Sequence, residues 1–470
     1  LDHDGDAMLT ITNPATGKLI TQVPTDDATS VATKVSRARA AQPSWAATPL
    51  GERKAAIQRF ADHLVHNQRA LAETLTSEVG KPIKQALGEI GAVGQRIAFF
   101  LDHVEQALAA QQVFDDANMR EQITREPLGV IANISAWNYP YFVGSNVFIP
   151  ALLTGNCVLY KPSEFATLTG LAITQALHAA GVPQDVFTCV VGAGEVGSAL
   201  LLQPIDGVYF TGSYATGVKI NQAAAPKLAR VQLELGGKDP AYVCADADAH
   251  TSALGLADGA FYNTGQSCCS VERIYVHRDK YDAFMQSFVN EVKGFVIGDP
   301  MSDATYIGPL TRAQQLDVLR DQVKDALDKG ATLLLGGSAI AGGDPRIPAG
   351  NGAYFEPTVL TNVNHTMKVM RDESFGPIIG IQRVDSDDEA ITLMNDTEYG
   401  LTAAVYTPSR DTAERLLSKL NSGSVYWNCC DRVSPRLPWT GRKHSGIGST
   451  LSLEGLRAFT QPKAWHLRSV

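Results

Sequence analysis

The chain has 470 residues, 44% of them hydrophobic and 19% charged, with a formal net charge of -9. That length exceeds one core and implies two or three domains of an ordinary globular protein, and the acidic balance argues against nucleic acid as a partner. Seven cysteines, an odd number with two adjacent pairs and no C-x-x-C, suit a reducing compartment and form neither a disulfide framework nor a zinc ribbon.

Leu1 to Asp6 is acidic and lacks the basic segment of a signal peptide. No apolar run reaches the length of a membrane span. A cytoplasmic protein without membrane contact is therefore expected. Residues 7–25 hold turn residues (Asn13-Pro14, Gly17) and short apolar alternations, a small strand region. From Ala28 to Leu108 the pattern is helical, broken by Pro43, by Pro49-Leu50-Gly51 and by Gly80-Lys81-Pro82. His63 and His66 sit three apart in this stretch; with no third ligand suggested nearby they read as a solvated helix face, and no metal is expected.

After Gln111 the period changes. Strands are predicted over 129–134, 156–160, 185–191, 207–210 and 230–235, and helices over 166–180, 195–202 and 216–224. Strands alternating with helices imply βαβ units, a mostly parallel sheet and a doubly wound α/β layout. A helix-like stretch, 253–261, leads to Gly265-Gln266-Ser267-Cys268-Cys269. Beyond it come strands over 273–276, 331–335, 401–406 and 424–427, and helices over 280–293, 312–329, 386–395 and 409–420. Gly336 to Gly352, rich in Gly, Pro and Ala, reads as a surface loop. This is a second α/β unit of ordinary domain size.

Several motifs sit at predicted strand ends. Gly192-Ala193-Gly194-Glu195-Val196-Gly197 fits G-x-G-x-x-G, a tight turn that lets phosphates approach a helix N-terminus. The acidic residue expected about twenty positions on is missing, so this is no ordinary dinucleotide fingerprint. Phe210-Thr211-Gly212-Ser213 to Gly217 repeats the glycine turn one βα unit later, and the two turns together favour a nucleotide. Lys161-Pro162-Ser163-Glu164 fits either a grip on ribose hydroxyls or a surface ion pair. Glu234-Leu235-Gly236-Gly237-Lys238 places a carboxylate, a candidate general base, before two permissive glycines. Ala136-Trp137-Asn138-Tyr139-Pro140 offers an Asn amide, either an oxyanion donor or a turn residue.

These motifs, with Gly265-Gln266-Ser267-Cys268 and Glu373-Ser374-Phe375-Gly376-Pro377, occur in the order and spacing of the aldehyde dehydrogenase superfamily. The chain resembles that family from Asn13-Pro14-Ala15-Thr16-Gly17 to Ala458-Phe459-Thr460. The resemblance implies a Rossmann-like doubly wound dinucleotide-binding domain (1–109 and 128–235) and an α/β catalytic domain (236–430). It also implies a small β oligomerisation extension (110–127 and 456–470) and a homodimer or homotetramer.

The resemblance also implies roles. Cys268 is the nucleophile and Cys269 a non-catalytic neighbour. Asn138, with the Cys268 N–H, forms the oxyanion hole, and Glu234 is the base. Lys161 and Glu164 contact the adenosine ribose, Ser213 the pyrophosphate, Glu373 the nicotinamide ribose, and Phe375 lies beside the ring. Trp137, Ser163, Gly194, Gly197, Gly212, Gly217 and Leu235 complete the implied cofactor set. The chemistry follows: thiolate attack on an aldehyde, hydride transfer from the hemithioacetal to the nicotinamide, then hydrolysis of the thioester. Glu164 accepts a 2′-hydroxyl and repels a 2′-phosphate, so NAD is expected, although some relatives with this Glu also take NADP.

Arg432 to Lys443 departs from the family pattern at the mouth of the substrate tunnel. Tyr139, Val143, Asn146 and Trp439 face that tunnel by resemblance, and Arg432 or Arg436 is placed to draw in an anionic aldehyde. A medium-sized aromatic aldehyde or semialdehyde is the expectation. The rival activities are a coenzyme A-acylating dehydrogenase, which needs no hydrolytic base, and a non-redox cysteine hydrolase, which needs a His beside Cys268. A non-catalytic binding protein on the same fold is the third rival.

Overall fold

The computed structural model describes residues 7–469; Leu1 to Asp6, read above as lacking a signal segment, and Val470 lie outside the described residues. A six-stranded sheet runs in the order Gly446–Ile447, Arg230–Glu234, Gly207–Thr211, Val130–Ile134, Cys157–Lys161, Phe187–Cys189. All neighbours are parallel except the first pair. Val130, Ile131, Val158, Leu159 and Val208 are fully buried, as strands covered by helices on both faces must be. From Val130–Ile134 the chain moves outward to Cys157 and Phe187, then returns to Gly207–Thr211 on the other side. The strand order therefore reverses beside Val130–Ile134, and a crevice opens at the carboxyl ends there.

Helices follow the predicted punctuation at Pro49 and at Gly80 to Pro82, giving Leu50–His66, Gln68–Val79 and Ile83–Leu108. Pro43 behaves differently: Ala28–Ala47 runs straight through it. Two residues on, the Trp45 indole N–H donates to the Leu152 carbonyl at 3.0 Å, anchoring the last turn in the core. The helix Pro140–Leu153, buried almost throughout, has no counterpart in the sequence reading. Apolar residues cover every face of it, interrupted only by Ser145 and Asn146, so no amphipathic period reveals it.

The second sheet has seven strands, in the order Thr332–Leu335, Thr358–Thr361, Ile378–Val384, Val271–His277, Asp239–Val243, Thr402–Tyr406, Ser424–Trp427. Only Thr332–Leu335 is antiparallel. Two strands beside its centre, Asp239–Val243 and Ile378–Val384, escaped the sequence reading. The first opens on Asp-Pro, a turn signal; here the Asp239 carboxylate accepts the Thr402 hydroxyl at 2.7 Å and the strand proceeds. The helix expected over 312–329 is observed as Gln315–Asp328.

A third sheet, antiparallel, joins Gln111–Asp115, Met119–Pro127 and Thr460–Arg468. Its residues are mostly exposed. Before reaching it, the chain crosses back from the second sheet: Gly446–Ile447 pairs with the end of Arg230–Glu234, and Ser452–Arg457 packs on Ile83–Leu108. Among the described residues no helix is long and apolar enough to cross a membrane.

Candidate active site

Cys268 lies just past a turn whose backbone is unusual. Asn263, Thr264 and Gly265 have φ of 54°, 57° and 68°, a left-handed run that non-glycine residues rarely adopt. Neighbours hold it there. The Asn263 N–H donates to Gln85 Oε1 at 2.9 Å, and its side-chain amide donates to the carbonyls of Asn138 and Gln266 at 3.3 and 3.1 Å. The Gly308 N–H donates to Thr264 Oγ1 and the Thr311 N–H to Gln266 Oε1. The turn presents Cys268 half-buried. Cys269 points inward, its thiol donating to the Asp431 carboxylate at 2.8 Å. A hydrogen bond with Cys268, then burial, pushes the Cys269 thiol well above the ordinary range.

Asn138 sits at the crevice, between Val130–Ile134 and Pro140–Leu153. Its amide donates to the Gln266 carbonyl at 3.2 Å, tying it to the cysteine turn. The helix behind it is pinned by buried Glu89, which accepts the Tyr141 and Phe142 N–H groups at 2.9 and 3.3 Å and pairs with buried Lys81.

Glu234 ends its strand, buried. Its carboxylate accepts the Thr450 hydroxyl, the Gln232 amide at 3.2 Å and the Thr211 hydroxyl at 3.4 Å. Burial raises its proton affinity; these bonds and the nearby Arg96 cation oppose the rise. A carboxyl tuned upward in this way suits a general base near neutral pH. Thr450 does two jobs. Its backbone also exchanges both hydrogen bonds with Trp439, at 2.7 and 2.9 Å. Gln232 and Thr450 were invisible as site residues, because neither belongs to a motif.

Two cavities meet at this point. One, of about 360 Å³, is lined by Cys268, Cys269, Glu234, Tyr139, Phe142, Val143, Asn146 and Trp439. Residues 88, 89, 92, 95 and 96 of the long helix and Asp431 to Val433 also line it. Of the residues expected at the substrate, Tyr139, Val143, Asn146, Arg432 and Trp439 are all in this wall. Arg436, the other arginine considered for an anionic aldehyde, is exposed and outside the lining. Geometry explains the split: the strand bridge at Trp439 turns its ring inward, while Arg436 lies in an open turn.

The other cavity, of about 300 Å³, shares Cys268 and Glu234. Trp137, Asn138, Gly212, Ser213, Leu235, Glu373 and Phe375 line it, with Arg312 and Gln315, which no sequence motif marked. Ser213, in this lining, caps the helix Tyr214–Ala224 by accepting the Thr216 N–H; the helix starts two residues earlier than predicted. Glu373 lies flat on Gly236 and Gly237: a Cβ on Gly236 would stand 2.3 and 2.4 Å from its carboxylate oxygens, and the Gly237 N–H donates to it at 3.2 Å. Burial, with Glu272 nearby, pushes Glu373 up to about 8. Glu272 holds the loop by accepting the Ser374 and Phe375 N–H groups at 2.8 and 3.0 Å. Phe375 meets Trp137 edge to face at 5.6 Å.

Lys161, Ser163, Glu164, Gly194, Gly197 and Gly217 do not line either cavity. Lys161 and Glu164 lie at the carboxyl end of the next strand outward. Gly197 sits beside Lys161, where a Cβ would touch its aliphatic chain at 3.5 Å. Gly217 accommodates Leu235, which a Cβ would meet at 2.7 Å. The arrangement suits a long ligand with two ends. Strand ends, a capped helix N-terminus, a carboxylate beside bare glycine backbone and a second carboxylate one strand away fit a dinucleotide.

A family model described as the aldehyde dehydrogenase family matches residues 2–465. Among solved structures, 3,6-anhydro-L-galactose dehydrogenase in complex with NAP is 35% identical, with a TM-score of 0.94 over 100% of this chain and 98% of that one. PnpE in complex with nicotinamide adenine dinucleotide is 32% identical, with a TM-score of 0.95 over 100% and 96%. An NAD-dependent aldehyde dehydrogenase from Sinorhizobium meliloti is 33% identical, with a TM-score of 0.94 over 100% and 93%.

Proposed function

The chain belongs to the aldehyde dehydrogenase family and is an oxidoreductase acting on aldehydes; from this we propose that it oxidises its aldehyde to the carboxylic acid with NAD, through a hemithioacetal and a thioester on Cys268. The observation that carries the reading is the meeting of the two cavities at Cys268 and Glu234. A substrate entering past Tyr139 and Trp439 and a cofactor entering past Ser213 and Glu373 come together only there.

The residues then divide the work. Cys268 Sγ attacks the carbonyl carbon. The Asn138 amide and the Cys268 N–H donate to the oxyanion, each such donor contributing about 3 kcal/mol to the transition state. A nicotinamide held beside Cys268 by Glu373 and Phe375 would supply the hydride acceptor needed as the oxyanion collapses. Cys268 is left acylated. Glu234 takes a proton from water, the hydroxide attacks the thioester, and the acid departs from the regenerated thiolate. Glu373 orients the nicotinamide ribose, and Lys161 and Glu164 hold the adenosine ribose. Glu164 favours NAD over NADP by repelling a 2′-phosphate.

By the same reading, 1–109 with 128–235 form the dinucleotide-binding domain and 236–430 the catalytic domain. Residues 110–127 with 456–470 mediate assembly into a homodimer or homotetramer in the cytoplasm. The six-stranded, seven-stranded and three-stranded sheets fall within these ranges apart from the returning pair Gly446–Ile447.

The test is NADH formation across aliphatic, aromatic, amino- and carboxy-aldehydes, with Cys268→Ala as the blank, with and without coenzyme A, and with NADP in parallel. Free acid and NADH in equal amounts are expected without coenzyme A. Ester hydrolysis without NADH would make the protein a cysteine hydrolase; a requirement for coenzyme A would make it an acylating enzyme. A clear NADP preference would remove the role given to Glu164.

A further inference from the structure

One wall of the aldehyde cavity holds a cation that none of these steps uses. Gly88, Glu89, Ala92, Gln95 and Arg96 recur at helical spacing along one face of Ile83–Leu108, and that face lines the cavity. Arg96 is only 6% exposed. Its Nη1 donates to Asn146 Oδ1 at 2.8 Å, and the guanidinium lies 3.8 Å over the Phe142 ring. An amide and an aromatic face thus hold its plane. Among the described residues Nε and Nη2 have no acceptor, yet they are not sealed in.

The other charges in this wall are answered locally. Glu89 is paired with Lys81 and accepts two backbone N–H groups. Glu234 accepts three side-chain donors. Asp431 accepts a hydrogen bond from the Cys269 thiol, with the exposed Arg432 beside it. Asp258 accepts the Tyr306 hydroxyl at 2.6 Å. No carboxylate of the described residues forms an ion pair with Arg96. Glu234 and Glu89 favour the Arg96 cation through space without touching it, so its remaining donors stay unfilled, and an unfilled buried donor is costly. Its free edge is planar and two-pronged, the shape that binds a carboxylate through two parallel hydrogen bonds. Those donors are satisfied if the ligand brings the acceptor.

We propose that Arg96 is the specificity-determining residue of this enzyme, binding a carboxylate at the far end of the aldehyde, so that the substrate class is carboxy-aldehydes. The proposal rests on the reading of Cys268 as the nucleophile in the same cavity. It moves the anion-recognising role from Arg432 and Arg436, which are exposed and screened by solvent, to a residue that water does not screen. Gly88 and Ala92, with almost no side chain, line the same cavity and take up little of its space.

The experiment compares glutaric semialdehyde with pentanal, and 4-carboxybenzaldehyde with benzaldehyde, for wild type, Arg96→Gln and Arg96→Lys. Wild type is expected to favour each carboxylated member in kcat/KM. Arg96→Gln is expected to lose about 30-fold or more of the preference for the carboxylated members, mainly through their KM, on top of any smaller loss in kcat that both series share through Glu234. Arg96→Lys, which keeps the charge but not the fork, should fall between. Equal loss on both series would mean that Arg96 serves Cys268 or Glu234 instead, and would overturn the proposal; so would a wild-type preference for neutral aldehydes. If Arg96→Gln does not fold, inhibition of wild type by glutarate decides: competition against pentanal supports the site, and its absence removes it. Should no aldehyde be oxidised at all, the proposed function fails separately. Calorimetric binding of glutarate that is tighter to wild type than to Arg96→Lys would still support Arg96, and equal binding to both, or lack of binding to wild type, would refute it.

Discussion

Cys268 and Cys269 differ by one position and sit in opposite surroundings. Cys268 opens onto both cavities; Cys269 is buried, donates to Asp431, and has a thiol pushed well above the usual range. Cys268→Ala is therefore expected to reduce NADH formation by at least about 10⁴-fold, the scale of losing a nucleophile. Cys269→Ala should keep turnover within about tenfold. Glu234 sets the pH dependence. In the proposed mechanism it acts as the carboxylate, and burial raises its proton affinity, so kcat should fall with decreasing pH nearer neutrality than an ordinary Glu, about 4.3, would give. The Thr450 hydroxyl stabilises the charged form. Thr450→Val should therefore shift the acid limb to higher pH, and Glu234→Gln should leave a burst of NADH followed by slow turnover. A limb that does not move in Thr450→Val would separate it from Glu234. Cys268, Glu234, Asn138 and Glu373 were legible because each stands in a local motif. Thr450 and Arg96 were not, since each acquires its role from residues more than forty positions away.

Among the elements, the two loops that face the crevice depend on backbone that glycine permits. Gly236 has no room for a Cβ, because Glu373 rests on it. Gly236→Ala should displace Glu373 and raise the KM for NAD by about tenfold or more, while ester hydrolysis by Cys268 persists. Parallel loss of both activities would show that the substitution damages the cysteine turn instead. The amphipathic helices of 28–108 were legible from their period, and the buried helix Pro140–Leu153 was not. Nor were Asp239–Val243 and Ile378–Val384, which lie inside the seven-stranded sheet. Strands of that kind are selected by their neighbours more than by alternation.

For the whole molecule, the three-stranded sheet is the part least supported by its own chain. Gln111–Asp115 and Thr460–Arg468 are both open edges, and Val113, Phe114 and Leu467 are 56%, 42% and 45% exposed. Open edges carrying apolar side chains are surfaces that proteins normally cover. Phe114→Glu with Leu467→Glu should yield monomers in light scattering, with the fold of the rest retained in circular dichroism. An unchanged mass in the variant would exclude this sheet from assembly. By itself the sequence determined the family and the α/β class and marked the residues proposed to act on the carbonyl, because those depend on short contiguous motifs and on the period of buried positions. Only the tertiary structure decided what surrounds them. Glu234 gains Thr450 and Trp439 is turned into the aldehyde cavity because the chain crosses back to the first sheet after residue 430. Arg96 becomes a cation facing the substrate because one helix face is laid against Asn146 and Phe142. Burial and the pairing of charges are properties of residues brought together in space, and no local pattern records them.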